Sequence, residues 1–128
     1  MRVRAWWALG CVFGFVGVAG GAFGAHALED LVTAERLATW GTGTAYMQMH
    51  AVALIGLAVA GRSASHRALD VAGGCFTAGM VLFTGSLWLL VLLDLPILGA
   101  VTPLGGMCFL VGWVAALIGG WKAFSPHA

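Results

Sequence analysis

Four side chains able to do chemistry stand in stretches otherwise dominated by aliphatic residues and glycine: His26, Tyr46, Gln48 and His50. Polar groups in an apolar setting are costly to bury and are the first place to look for function. Two imidazoles, a phenol and an amide brought together could bind a quinone headgroup, ligate a haem or a metal, or form part of a proton or ion path. The plainer reading is a hydrogen-bond network that fixes how two helices dock, worth about 0.6 kcal/mol per bond in a membrane. Met47 and Met49 beside His50 invite a Cu(I) site, since thioether and imidazole suit that ion. On a regular helix residues two apart point about 200° from each other, so only Met47 with His50, at i and i+3, can share an ion. No metal and no cofactor is assigned from these residues.

No serine or cysteine nucleophile with its base, no paired-carboxylate site and no phosphate loop can be read from the chain, so no catalytic residue is assigned. Cys11, Cys75 and Cys108 all fall in apolar runs, form no CxxC pair and read as small buried hydrophobes.

The elements that position these residues are set by charge. Only eleven of 128 residues are Asp, Glu, Lys or Arg, and they cluster between long apolar runs. The runs cover about residues 5–25, 34/42–61, 68–93 and 104–122, with Asp70 near the edge of the third. Each approaches the ~20 residues needed to cross a ~30 Å hydrocarbon layer. With 61% hydrophobic residues and a mean hydropathy of +0.98, the chain is an all-α membrane protein. It is expected to form one transmembrane domain over 1–128, with four transmembrane helices in a compact bundle. A short interfacial segment over residues 27–32 joins the first two. A net charge of +1 offers no basic patch for nucleic acid.

Arg2 and Arg4 precede an apolar run ending in Ala25-His26-Ala27, which resembles a secretory signal. The run exceeds the usual h-region of about 7–15 residues, so it reads as a retained first span. Across four spans, Arg2, Arg4, Arg62, Arg67 and Lys122 share one side and Arg36 alone the other. The positive-inside rule then puts both termini in the cytoplasm. Thr33 is placed to cap a helix of about 28 residues running unbroken into the second span, and Thr102-Pro103 to open the fourth. Trp6, Trp7, Trp40 and Trp121 fall near span ends, where indoles favour the interface, whereas Trp88 and Trp113 do not.

Glycines recur in the first span at GxxxG spacing, which lets helix backbones approach closely in lipid. Gly14, Gly17, Gly21 and Gly24 are the expected helix-packing positions, and they make the first span central. His50 falls about 12 Å along its helix from residue 42. His26, on the antiparallel neighbour, approaches the same leaflet. An imidazole without a partner in hydrocarbon is strongly disfavoured, so His26 is expected within hydrogen-bond or one-water reach of Tyr46, Gln48 and His50. Thr84, Ser86 and Thr102 can add hydroxyls, and Asp94 lies at the same end.

Gly21-Ala22-Phe23-Gly24-Ala25-His26-Ala27-Leu28, Tyr46-Met47-Gln48-Met49-His50-Ala51, Phe83-Thr84-Gly85-Ser86-Leu87-Trp88 and the run Leu98–Gly106 follow in order. Together they resemble the YgdD/YwdK-like family of small bacterial inner-membrane proteins of unknown function, which has mitochondrial transmembrane relatives. The resemblance implies four helices and a membrane location, and brings no activity or catalytic residue. Gly41-Thr42-Gly43-Thr44-Ala45 is richer in glycine than a continuous helix should be, so a bend is expected there.

The function expected is that of an accessory or structural protein of the cell inner membrane, or a subunit of a membrane complex, with no catalytic activity evident. Its partners would be the lipid bilayer and other membrane subunits or copies of itself. The alternatives are a homo-oligomeric small transporter or channel, and a quinone-, haem- or metal-binding redox protein using His26 and His50.

Overall fold

The computed structural model describes residues 2–63 and 66–125. Four helices are long and apolar enough to cross a membrane: α1 (Val3–Leu28), α2 (Ala34–Ser63), α3 (Arg67–Leu93) and α4 (Thr102–Phe124). A 3₁₀ turn, Pro96–Ala100, joins the last two. The described residues contain no strand.

Helix ends follow local chemistry. Thr33 Oγ1 accepts from the Arg36 backbone N–H at 3.2 Å and starts α2, which runs 30 residues without interruption. At residues 41–45, where a bend is expected from the sequence, the α-helix continues unbroken. Thr42 and Thr44 return their hydroxyls to the carbonyls four residues back, and Gly43 is buried against Thr84 and Leu87. The start of α4 differs from expectation. Its N-cap position is Val101, and the Thr102 hydroxyl pairs with Ser86 at 2.7 Å instead of capping the helix. His66 caps α3, its Nδ1 accepting from the Ala68 N–H at 3.1 Å.

Two antiparallel hairpins, α1–α2 and α3–α4, make the bundle. The start of α1 and the end of α4 lie at one end and the α1–α2 connection and the Pro96–Ala100 turn at the other. Glycines set the close approaches. On α1, a Cβ at Gly10 would come within 3.0 Å of Ala51 O, at Gly17 within 2.8 Å of Gln48 Cγ, and at Gly24 within 2.7 Å of Trp40 Cδ1. The working spacing is seven residues, two helical turns, rather than four. Gly21 makes ordinary contact with Thr44 at 3.5 Å, and Gly14 faces open space. On α4, Gly105, Gly112 and Gly119 repeat the same spacing against Phe83, Phe76 and Leu69 of α3.

The first span is peripheral, not central. In their most apolar windows α2 and α3 are each 44% buried, against 22% for α1 and α4. The core of the bundle is accordingly built on Leu54, Leu69, Phe76 and Met80, all fully buried. Two helices widen into π turns, Gly24–Leu28 at the end of α1 and Met80–Thr84 within α3, a feature that often marks a functional region.

Candidate functional site

His50 is the most enclosed of the four candidates, 1% exposed. It sits near the middle of α2, where α3 and α4 close over it. Its Nδ1 lies 2.7 Å from the Tyr46 carbonyl, and Trp113 Nε1 lies 3.1 Å from its Nε2. A carbonyl only accepts and an indole N–H only donates, so Nδ1 carries the hydrogen and Nε2 offers its lone pair. Both ring nitrogens of a neutral imidazole are therefore occupied. The ring stacks on Phe109 at 3.6 Å between centroids and 10° between planes, with Phe76 edge-on at 5.3 Å. A metal at Nε2 would have to displace Trp113, and a proton there would cost that hydrogen bond.

Tyr46, one turn earlier, turns its ring against Phe83 and Phe109. It opens on a groove of about 460 Å³ between α2 and α4, bounded also by Met49, Met107 and Trp113. Gln48 faces the other way, into a cleft of about 260 Å³ floored by Gly21, Gly24, Ala25, Gly41 and Ala45. Gln48 is the fifteenth of the thirty residues of α2, half-way across the span, and is half-buried. Its amide has no hydrogen-bonding partner among the described residues.

His26 does not join them. It is exposed within the π turn, without a hydrogen-bonding partner among the described residues. Gly24 lies over Trp40, so His26 is level with the first turns of α2, roughly 18 Å along the axis from His50 at 1.5 Å per residue. Continuation of α1 to Leu28 leaves His26 exposed in the last turn of the helix, three residues before Glu29. The four residues thus occupy three places. Met47 packs towards Gly17 of α1, away from the aromatic box around His50, which also removes the geometry for a shared Cu(I). Among the described residues no three His, Cys, Asp or Glu side chains converge as a metal site would need.

The densest polar array lies elsewhere. Trp40 and Trp88 stack at 4.7 Å with 11° between planes. Trp40 Nε1 donates to Gly20 O at 2.8 Å, Trp88 Nε1 to Thr44 Oγ1 at 3.2 Å, and Thr84 Oγ1 to Gly43 O at 2.7 Å. Gly20 lies directly under the Trp88 ring, where no side chain fits. Three helices are tied together by indole and hydroxyl donors aimed at two helix carbonyls and the Thr44 hydroxyl. Trp40, expected at the interface, is 4% exposed, and Trp6 is likewise buried at 7%. The Trp6 indole donates to Asp70 Oδ1 at 2.8 Å, and the Arg2 backbone N–H meets the same oxygen at 3.1 Å. Asp70, an anomaly within an apolar run, is the anchor that joins the starts of α1 and α3. At the opposite end Arg36 pairs with Asp94 at 2.9 Å. Cys11 is exposed, and Cys75 and Cys108 are partly so.

Residues 20–106 match the model of a protein family described as a protein of unknown function, DUF423. The chain is 37% identical over 114 residues to a UPF0382 membrane protein of Staphylococcus saprophyticus, covering 89% of this chain and 94% of that one. It is 38% identical over 115 residues to the UPF0382 membrane protein YwdK of Bacillus subtilis, covering 89% and 94%. A relative from Staphylococcus aureus is 36% identical over 114 residues, covering 89% and 93%. No solved structure matches.

Proposed function

The chain belongs to the DUF423 family, and from that premise we propose that it is an accessory or structural subunit of a membrane assembly. It docks through the α1–α2 face onto another membrane helix, from a second copy or another subunit. The observation that carries this reading is the Gln48 amide. It lies half-way across α2 in a cleft floored by glycine and alanine, with two N–H donors and a carbonyl that no described residue meets. An unmet amide in hydrocarbon is strongly unfavourable. Small residues around it remove the obstacle to a partner backbone, and interhelical bonds from glutamine are a recognised adhesive between spans. The distribution of five Lys/Arg residues to one supports a cell inner membrane orientation with both termini cytoplasmic.

The test is purification from native membranes into nanodiscs, with mass measured for the wild type and for Gln48→Leu. The reading expects the wild type to run with an added protein mass and the variant to lose most of it. A wild type that runs as one chain with no associated protein contradicts it.

A further inference from the structure

A cavity of about 730 Å³ opens at the end of the bundle that carries the α1–α2 connection, between α1, the start of α2 and the end of α3. That volume lies within the range of about 300–1,000 Å³ typical of small-molecule sites. Its two halves differ in chemistry. Phe23, Val91 and Leu92, from the spans, form a hydrocarbon wall, while Glu35, Arg36 and Asp94 form a charged rim. Arg36 is the only Lys or Arg between Arg4 and Arg62. A guanidinium has five N–H donors in a planar fork. One contact, to Asp94 Oδ1 at 2.9 Å, is the only acceptor its side chain finds among the described residues. Donors left over in that fork suit a phosphate. Glu35 and Asp94 share the rim with Arg36, and Glu29 and Asp30 in the α1–α2 connection bring this end of the bundle to four carboxylates against one cation. A ligand carrying only negative charge would be repelled by that excess.

We infer that this cavity binds a zwitterionic aminophospholipid. The phosphate lies on Arg36, the primary ammonium on Glu35 and the free oxygen of Asp94, and one acyl chain along Phe23, Val91 and Leu92. The position fits, because the rim residues are at helix ends and the wall residues are the last turns of apolar spans. A primary ammonium donates hydrogen bonds to carboxylates and a quaternary one cannot, so ethanolamine is selected over choline. The acidic surplus selects it over phosphatidylglycerol. Binding here does not depend on the assembly role proposed above, since the cleft at Gln48 is on a different part of the surface.

The experiment equilibrates purified full-length protein with mixed micelles holding equal amounts of phosphatidylethanolamine, phosphatidylglycerol and phosphatidylcholine of identical chains, then counts retained lipids by native mass spectrometry. The wild type is expected to retain one phosphatidylethanolamine, enriched about tenfold over the other two, the size of one charge-assisted hydrogen bond. Arg36→Gln should abolish the enrichment. Because that change also breaks the pair with Asp94, Leu92→Trp, at a cavity-wall position 52% exposed, serves as the second variant, filling the cavity without touching a charge, and should expel the lipid. Glu35→Gln should shift retention towards phosphatidylglycerol. Free O-phosphorylethanolamine should not displace the lipid. Equal retention of the three lipids by the wild type, unchanged selectivity in Arg36→Gln and Leu92→Trp, or displacement by the free headgroup would each overturn the proposal.

Discussion

Trp113 donates its indole hydrogen to His50 across the α2–α4 seam, at 3.1 Å, and so fixes the tautomer of a histidine that is 1% exposed. The bond makes His50 a structural pivot between the two hairpins. His50→Ala should destabilise the bundle by about 2–4 kcal/mol, because it leaves a void under Phe109 and an unmet indole N–H. Trp113→Phe should cost less. A double-mutant cycle of the two, read by unfolding in detergent, should give a coupling of about 0.6–1.7 kcal/mol; strict additivity would show that the bond contributes nothing.

Glycine substitutions should follow the seven-residue register rather than the GxxxG one. Gly17→Ala and Gly24→Ala put a methyl against Gln48 and Trp40, and Gly105→Ala against the Phe83 backbone, which cannot rotate away. Overpacking of this kind costs about 1–3 kcal/mol, and Gly105 should be the most sensitive of the three. Gly14→Ala, facing open space, should leave melting temperature unchanged. A loss at Gly14 equal to that at Gly17 would contradict this packing.

Asp94 holds a left-handed backbone, φ 51° and ψ 44°, while its side chain pairs with Arg36. The carboxylate is 84% exposed, so the ion pair itself adds little to stability. Asp94→Gly should therefore be nearly neutral, and Asp94→Ala worse than Asp94→Gly by about 1–2 kcal/mol, the cost of a Cβ in that region. Thermal melts of the two variants decide it; an equally large loss in both would mean that the ion pair, and not the turn, governs this end.

The orientation proposed from charge can be checked by accessibility labelling of Cys introduced at Thr33 and at Ser63. The two should react from opposite sides of sealed vesicles, Ser63 from the side of the termini. Labelling from the same side would require an even number of crossings between them, and so a span other than α2 alone.

The four spans were legible because a membrane admits few charges, so the charges at Arg4, Glu29 to Arg36, Arg62 to Arg67, Asp94 and Lys122 bracket the helices directly. Thr33 was legible as a cap for the same local reason. The pairing of His26 with His50 was not, because it depends on where α1 stops, and nothing local ends α1 at Ala25. The helix widens into a π turn and carries His26 about one turn further. Trp40 was misplaced because a tryptophan at a span end reads as an interface anchor. Its burial depends on Gly20 and Gly24 of another helix making room for its ring. Gln48 was legible as a polar group at membrane depth, but the face it takes is set by the α1–α2 register, which glycine spacing alone left ambiguous between four and seven.

The most direct test of the assembly reading places a photo-crosslinking residue at Ala45, in the cleft beside Gln48, and another at Val114, exposed on α4. Irradiation in native membranes is followed by mass analysis of the adducts. The account predicts a discrete protein adduct from Ala45, to a second copy or a defined partner, that disappears in the Gln48→Leu background, and no such adduct from Val114. Lipid adducts alone at Ala45, or equal protein adducts at both positions, would contradict it.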